Sequence, residues 1–198
     1  MLAEEIRALT SATVLTTAGT DALARALALV RDATTELSSS MKSSRYDGVA
    51  GLAPGSPAND AIWETHAAFG RSNPLAPPVE PAPPVEPEER PGHLTAGVTF
   101  GSAWEGGPGS VYGGFIAAAF DGMLGRAVIS AGHLGVTRSL TVRYLRPTPL
   151  RVPLRVESVA GELVGRNVTV TGRMWTEDAL SCEAEAVFTC VDPARYRM

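Results

Sequence analysis

The 198-residue chain is short of several things that would each mark out a class of protein. Its 2 cysteines, Cys182 and Cys190, sit eight apart in what reads as one strand, so they cannot close on each other and no disulfide framework is available. They read as core thiols of a reducing compartment. The 3 histidines, His66, His93 and His133, share no metal-ligand spacing with one another or with the cysteines, so neither a metal nor a cofactor is expected. Charge is sparse as well, with 17 basic and 21 acidic residues for a net −4, which advertises neither nucleic acid nor an anionic membrane as a partner. Glu4 and Glu5 stand where a secretory leader carries basic residues, and a cytoplasmic protein is the expectation. There is no GxSxG elbow, no GxGxxG and no GxxxxGK[ST], which leaves hydrolase-triad, dinucleotide and P-loop readings without support.

What the chain has in excess is 20 Gly and 15 Pro. Eight of the prolines crowd between Pro74 and Pro91, where missing N–H groups forbid a helix or central strand. An extended, polyproline-type connector is expected there. It divides the chain into a helical plus proline-rich extension, residues 1–91, and a second part, residues 92–198. Charge divides too, with 7 basic and 12 acidic residues before the boundary and 10 basic and 9 acidic after it.

In the extension, Leu23, Leu27, Val30 and Leu37 recur at helical spacing, predicting an amphipathic helix from Thr20 to Leu37 capped by Thr20 or Asp21. A short helix around Ile62 and Trp63, within Asn59–Phe69, is also expected. After the boundary, Val98–Trp104 reads as a short strand. Tyr112–Ser130 reads as a helix with almost no polar face, to be wrapped by protein on nearly every side. Four glycines and Asp121 at mid-length argue against a membrane span, since a central carboxylate costs ~2.5–3.5 kcal/mol on the insertion scale.

Strand patterns then alternate over Leu140–Tyr144, Val152–Val156, Val168–Met174 and Leu180–Phe188, with turns expected at Gly161 and at Glu177-Asp178. Four such strands in a meander, each apolar on one face, are best satisfied by an antiparallel sheet curled around the apolar helix. The class is α+β. Trp63, Trp104 and Trp175 read as core or dimer contacts.

The chemistry concentrates at GGPGSVYGGFIAAAFD, residues 106–121. Gly113 and Gly114 open the helix, where unpartnered N–H groups and the helix dipole favour an oxyanion and the absent side chains let a substrate oxygen approach. A glycine-rich turn packed closely on a strand is the structural alternative. Asp121 lies ~10–12 Å further along the axis among Ala117, Ala118, Phe120 and Leu124. A carboxylate there wants either a structural partner, such as Arg126, or a role as base or nucleophile. Thr137, opening the first strand after the helix, could offer a hydroxyl to water or a carboxylate, or be an ordinary strand-edge residue. Arg138, Arg143, Arg146, Arg151, Arg155 and Arg166 outnumber the acids among them, making either an anion-facing patch or an ordinary solvated strand face.

These residues carry a resemblance. Tyr112-Gly113-Gly114 with Asp121, inside GxxGxVYGGFIAAAFDGMLG, together with GVTRSLTVRYLRPTPL at 135–150 and RSNPLAPPVE at 71–80, is similar to hotdog-fold acyl-CoA thioesterases of the phenylacetate-pathway type, in a branch with a long N-terminal extension. The resemblance implies a hotdog fold, hydrolysis of an acyl-CoA, and homodimers or dimers of dimers with paired sites. Gly113, helped by Gly114, would polarise the thioester carbonyl, Asp121 would activate water or attack directly, and Thr137 from the partner subunit would orient water or carboxylate. Arg143 and Arg166 would contact CoA phosphates. Tyr112 stands where the family has histidine and brings a phenol in its place. A noncatalytic acyl-CoA-binding or regulatory protein is the alternative that this departure implies. The extension is expected to pack on the hotdog part and cover its pocket or dimer edge.

Overall fold

The computed structural model describes residues 2–47, 62–68, 70–77, 79–81 and 90–192. Their order is α1 (Leu2–Leu15), α2 (Thr20–Ser38), β1 (Val79–Pro81), β2 (His93–Val98), a 3-10 turn (Ser102–Trp104), α3 (Gly113–Ser130), β3 (Gly135–Tyr144), β4 (Leu154–Val164), β5 (Asn167–Thr176) and β6 (Ala179–Cys190).

The strands form one antiparallel six-stranded sheet in the order β1-β2-β4-β5-β6-β3, with α3 packed across it. Alternation explains the face that the sheet buries. Val168, Val170 and Met174 of β5, and Cys182, Ala184, Ala186 and Phe188 of β6, point inward, while Thr169, Thr171, Arg173 and Glu185 point out. Phe120 and Leu124 on α3 are fully buried against them, each worth about 1.5–3 kcal/mol on leaving water. The closest approach falls at Gly172, where a Cβ would meet Phe120 Cδ1 at 2.9 Å and Leu124 Cδ2 at 3.0 Å. The helix seats itself where the strand lacks a side chain.

Several expectations are corrected. The strand placed at Val98–Trp104 ends at Val98, and Ser102–Trp104 is a 3-10 turn that buries Trp104 in the core. The last four strands are not a simple meander, because β3 pairs with β6 at the far edge rather than with β4. Gly161 is no turn: it lies inside β4 at a register shift between Ala160 and Leu163, and the reversal comes at Gly165 and Arg166. The turn at Glu177-Asp178 is where alternation put it, with Glu177 at φ 50°. The cap of α2 is Gly19, with no side-chain bond, rather than Thr20 or Asp21.

α3 is not wrapped all round. Ile116, Ala119, Phe120, Met123, Leu124, Ala127 and Val128 are buried, but Phe115, Ala118 and Arg126 are exposed. The open side adjoins β3, which has one strand neighbour among the described residues and leaves Val136 and Tyr144 exposed.

The extension divides in two by its packing. α2 buries no residue and turns Leu23, Leu27 and Leu37 to solvent. α1 instead rests on the 3-10 turn, and its Arg7 guanidinium donates to the carbonyls of Arg71, Asn73 and Ala76 at 2.9–3.1 Å, pinning the loop that precedes the prolines. Of the predicted short helix, one turn at Ile62–Glu64 is present, while Asn59–Ala61 and Phe69 fall outside the described residues. The expected connector holds a short strand, β1, paired antiparallel with β2. Pro81 is tolerated because β1 lies at the edge of the sheet; residues 82–89 are outside the described set. No described helix is long and apolar enough to cross a membrane.

Candidate active site

Two separate concavities flank α3, one at its N-terminus and one at its middle. At the N-terminus, Tyr112 caps the helix and donates its backbone N–H to Trp104 O at 2.8 Å. Gly113 and Gly114 are the first two helical residues, so their N–H groups have no acceptor within the helix. Gly113 lines a cleft of about 390 Å³ with Ser110, Ile116, Tyr144, Arg146 and Thr148. Both glycines are also closely packed: a Cβ at Gly113 would meet the Tyr144 ring at 3.3 Å, and one at Gly114 would meet Cε1 of the exposed Tyr112 side chain at 2.7 Å. The close packing of the structural alternative is thus present at the two residues whose amides are free of helical acceptors.

Tyr144, which no sequence motif singles out, donates its hydroxyl to Gly113 O at 2.8 Å. Burial, followed by Cys182 and Tyr112, pushes its hydroxyl above the usual tyrosine value, so it stays a neutral donor at neutral pH. Tyr112 itself is exposed, its ring edge-on to Phe115 at 6.0 Å between centroids.

The second concavity belongs to Asp121. The carboxylate is half-buried rather than enclosed among apolar neighbours, and Thr137 Oγ1 donates to Asp121 Oδ1 at 2.7 Å. Donor and acceptor belong to one chain. α3 and the start of β3 are adjacent in sequence and side by side in space, so a short connection brings the hydroxyl to the acid. The cavity, about 290 Å³, is completed by residues far away in the chain: Arg45, Tyr46, Ile62, Trp63 and His66 from the extension, facing Ile129, Val136 and Phe188. Some of the extension therefore lies over the Asp121 site, as the sequence led us to expect.

No local sequence pattern links His66 to Asp121, 55 positions away. Its Nδ1 accepts the Ala68 N–H at 3.1 Å, which puts the ring proton of the neutral form on Nε2. Burial first, then the Arg45 guanidinium, hold its pKa below the usual histidine value, with Asp121 opposing them.

The strand arginines are mostly engaged with the sheet itself. Arg155 pairs with Glu157 and lies over the Trp175 ring at 5.2 Å, while Arg143 sits 3.8 Å from Glu183. Arg151 bonds Ser102. Arg166 occupies the β4–β5 turn, where its carbonyl takes the Cys190 N–H. Seven residues of β6 separate the partners of Arg143 and Arg166, about 23 Å at ~3.3 Å per residue, so one chain does not bring these two side chains to a single phosphate. The cation that lines the Gly113 cleft is Arg146. No group of three or more potential metal ligands occurs among the described residues.

Comparison with known proteins follows the same division of the chain. Residues 108–183 match the family model described as the thioesterase superfamily. The chain is similar to the acyl-coenzyme A thioesterase THEM4 of Mus musculus, 36% identical over 93 residues, which are 46% of this chain and 40% of that protein. It thus spans less than half the length of that curated relative. A crystal structure of a thioesterase superfamily protein aligns with a TM-score of 0.76 at 26% identity, covering 95% of this chain and 88% of that one. A hypothetical thioesterase from Streptococcus pneumoniae TIGR4, solved with coenzyme A, aligns at a TM-score of 0.51 and 20% identity over 54% of this chain and 87% of its own, a likeness of fold.

Proposed function

We propose that this chain, a hotdog-fold protein resembling the acyl-CoA thioesterases, hydrolyses an acyl-CoA thioester to a free acid and CoA. In this reading residues 92–198 are the catalytic domain and residues 1–91 an extension of it. The observation that carries the proposal is the 2.7 Å bond from Thr137 to Asp121 in an otherwise largely apolar cavity. A hydroxyl held on Oδ1 orients the carboxylate and leaves Oδ2 to take a proton from water. Water then adds to the thioester carbon, the carbonyl oxygen becomes an oxyanion facing the Gly113 and Gly114 amides, and collapse breaks the C–S bond. The departing thiolate recovers the proton that Asp121 took. Asp121 attacking the carbon directly is the other form of the step, and a single turnover in heavy-oxygen water separates them by where the first label appears.

Gly113 and Asp121 are eight residues apart, about 12 Å along the helix axis, and line different cavities. One carbonyl cannot be held by the first and hydrolysed by the second within one chain. A second copy, its α3 antiparallel to the first, sets the amides of one chain beside the Asp121 of the other and completes two equal sites. Exposed Phe115 and Ala118 on α3, and the open edge of β3, supply a surface for that dimer. Tyr112 then stands at the mouth of the site as a hydrogen-bond donor. Arg146 is a better placed cation for a CoA phosphate than Arg143 or Arg166, of which at most one serves a given phosphate.

The test is release of free CoA from a panel of acyl-CoAs, abolished in Asp121→Asn while the circular dichroism and melting temperature stay as in the wild type. Tight binding of every acyl-CoA with no turnover in the wild type would support a noncatalytic acyl-CoA-binding protein, the reading that Tyr112 favours.

A further inference from the structure

Trp63 and His66 come from the extension, yet they stand in the Asp121 cavity as one unit. Their rings stack at 4.5 Å between centroids with 32° between planes. The unit is held from three sides. Arg126 of α3 lies over the Trp63 ring at 5.8 Å, Ala68 N–H fixes the His66 ring through Nδ1, and Ser72 N–H and Gly70 N–H close the loop on Glu64 O and His66 O at 2.9 and 2.7 Å. Ile62 and Ala68 on either side are buried, and Trp63 packs against the main core. This is a fixed wall, unlike the solvent-facing α2.

The remaining lining separates by chemistry. Asp121 and Thr137 are its polar floor, Arg45 and Tyr46 add a guanidinium and a phenol, and Ile129, Leu134, Val136, Phe188 and Val191 form an apolar stretch between them. A thioester carbonyl placed at Asp121 would direct its acyl group into this apolar space.

We infer that the Trp63–His66 pair is the end wall of the acyl cavity and is the specificity-determining element of the site, limiting the length of the acyl chain or ring that it accepts. The extension thereby selects the acyl group. This rests on the acyl-CoA reading above for the identity of the ligand, but not on turnover.

The test uses the full chain, straight-chain acyl-CoAs of increasing length, and their non-hydrolysable thioether analogues measured by calorimetry. In the wild type, kcat/KM and thioether affinity rise with length and then fall by roughly ten-fold or more for each methylene past the cut-off. Trp63→Ala moves the cut-off to longer chains in both measurements. If Trp63→Ala does not fold, Ile129→Phe, which fills the same cavity from α3, moves the cut-off to shorter chains. An unchanged cut-off in the folded variant overturns the inference. Thioether binding whose cut-off moves, in a protein that turns over no acyl-CoA, supports the wall while removing the hydrolytic reading. Absence of thioether binding at every length overturns both.

Discussion

Thr137 donates its hydroxyl proton to Asp121 of its own chain, Oγ1 to Oδ1 2.7 Å, tying the first residues of β3 to the middle of α3. The pair lies within one chain and lines one cavity, while Gly113 at the helix start lines another. The acid and the glycine amides stand on the same helix, about 12 Å apart along its axis.

Removing the carboxylate charge is expected to be the most damaging change. Asp121→Asn should lower kcat by roughly 10²–10⁴-fold, the usual contribution of a positioned acid–base group. Thr137→Ala should give a smaller loss in kcat with little change in KM, and Thr137→Ser, which keeps the hydroxyl, should recover most of it. Steady-state CoA release measures all three, and equal activity of Thr137→Ala and the wild type would remove the orienting role.

Gly113→Pro deletes the amide proton at the first helical position, where proline is otherwise well accepted. The variant should fold, with some crowding of the Tyr144 ring, and lose turnover. Mixed dimers of Gly113→Pro with Asp121→Asn contain one site with both native groups. They should recover activity that neither parent has, and no recovery in verified heterodimers would place the two groups' action elsewhere.

His66 links stability to acid. It is held below the ordinary 6.5 by burial first and Arg45 second, against the pull of Asp121, with Tyr46 and Thr137 lining the same cavity and Arg126 reaching the Trp63 ring beside it. Unfolding therefore takes up a proton, so stability should fall as pH drops below about 6.5 and level off beneath the folded-state value. Urea unfolding at a series of pH values should show this slope in the wild type and a flatter one in His66→Gln.

Gly172→Ala tests the seating of the helix. A methyl there meets Phe120 and Leu124 at 2.9–3.0 Å, both fully buried. Overpacking of this kind costs about 1–3 kcal/mol, read as a lower denaturant midpoint at unchanged slope. A neutral result would mean that the helix shifts freely over β5.

The sequence by itself determined the helix over residues 113–130, the inward faces of β5 and β6, and the pairing of a glycine-led helix start with Asp121 two turns on. Those features repeat over a few residues, so periodicity and backbone chemistry express them directly. Tertiary structure alone decided that β3 crosses to the side of β6, that Gly161 lies within a strand, and that Trp63 and His66 line one cavity with Ile129. The physical reason is common to all of these. Each joins residues whose neighbours in sequence carry no record of the contact, and only burial of the shared core brings them together.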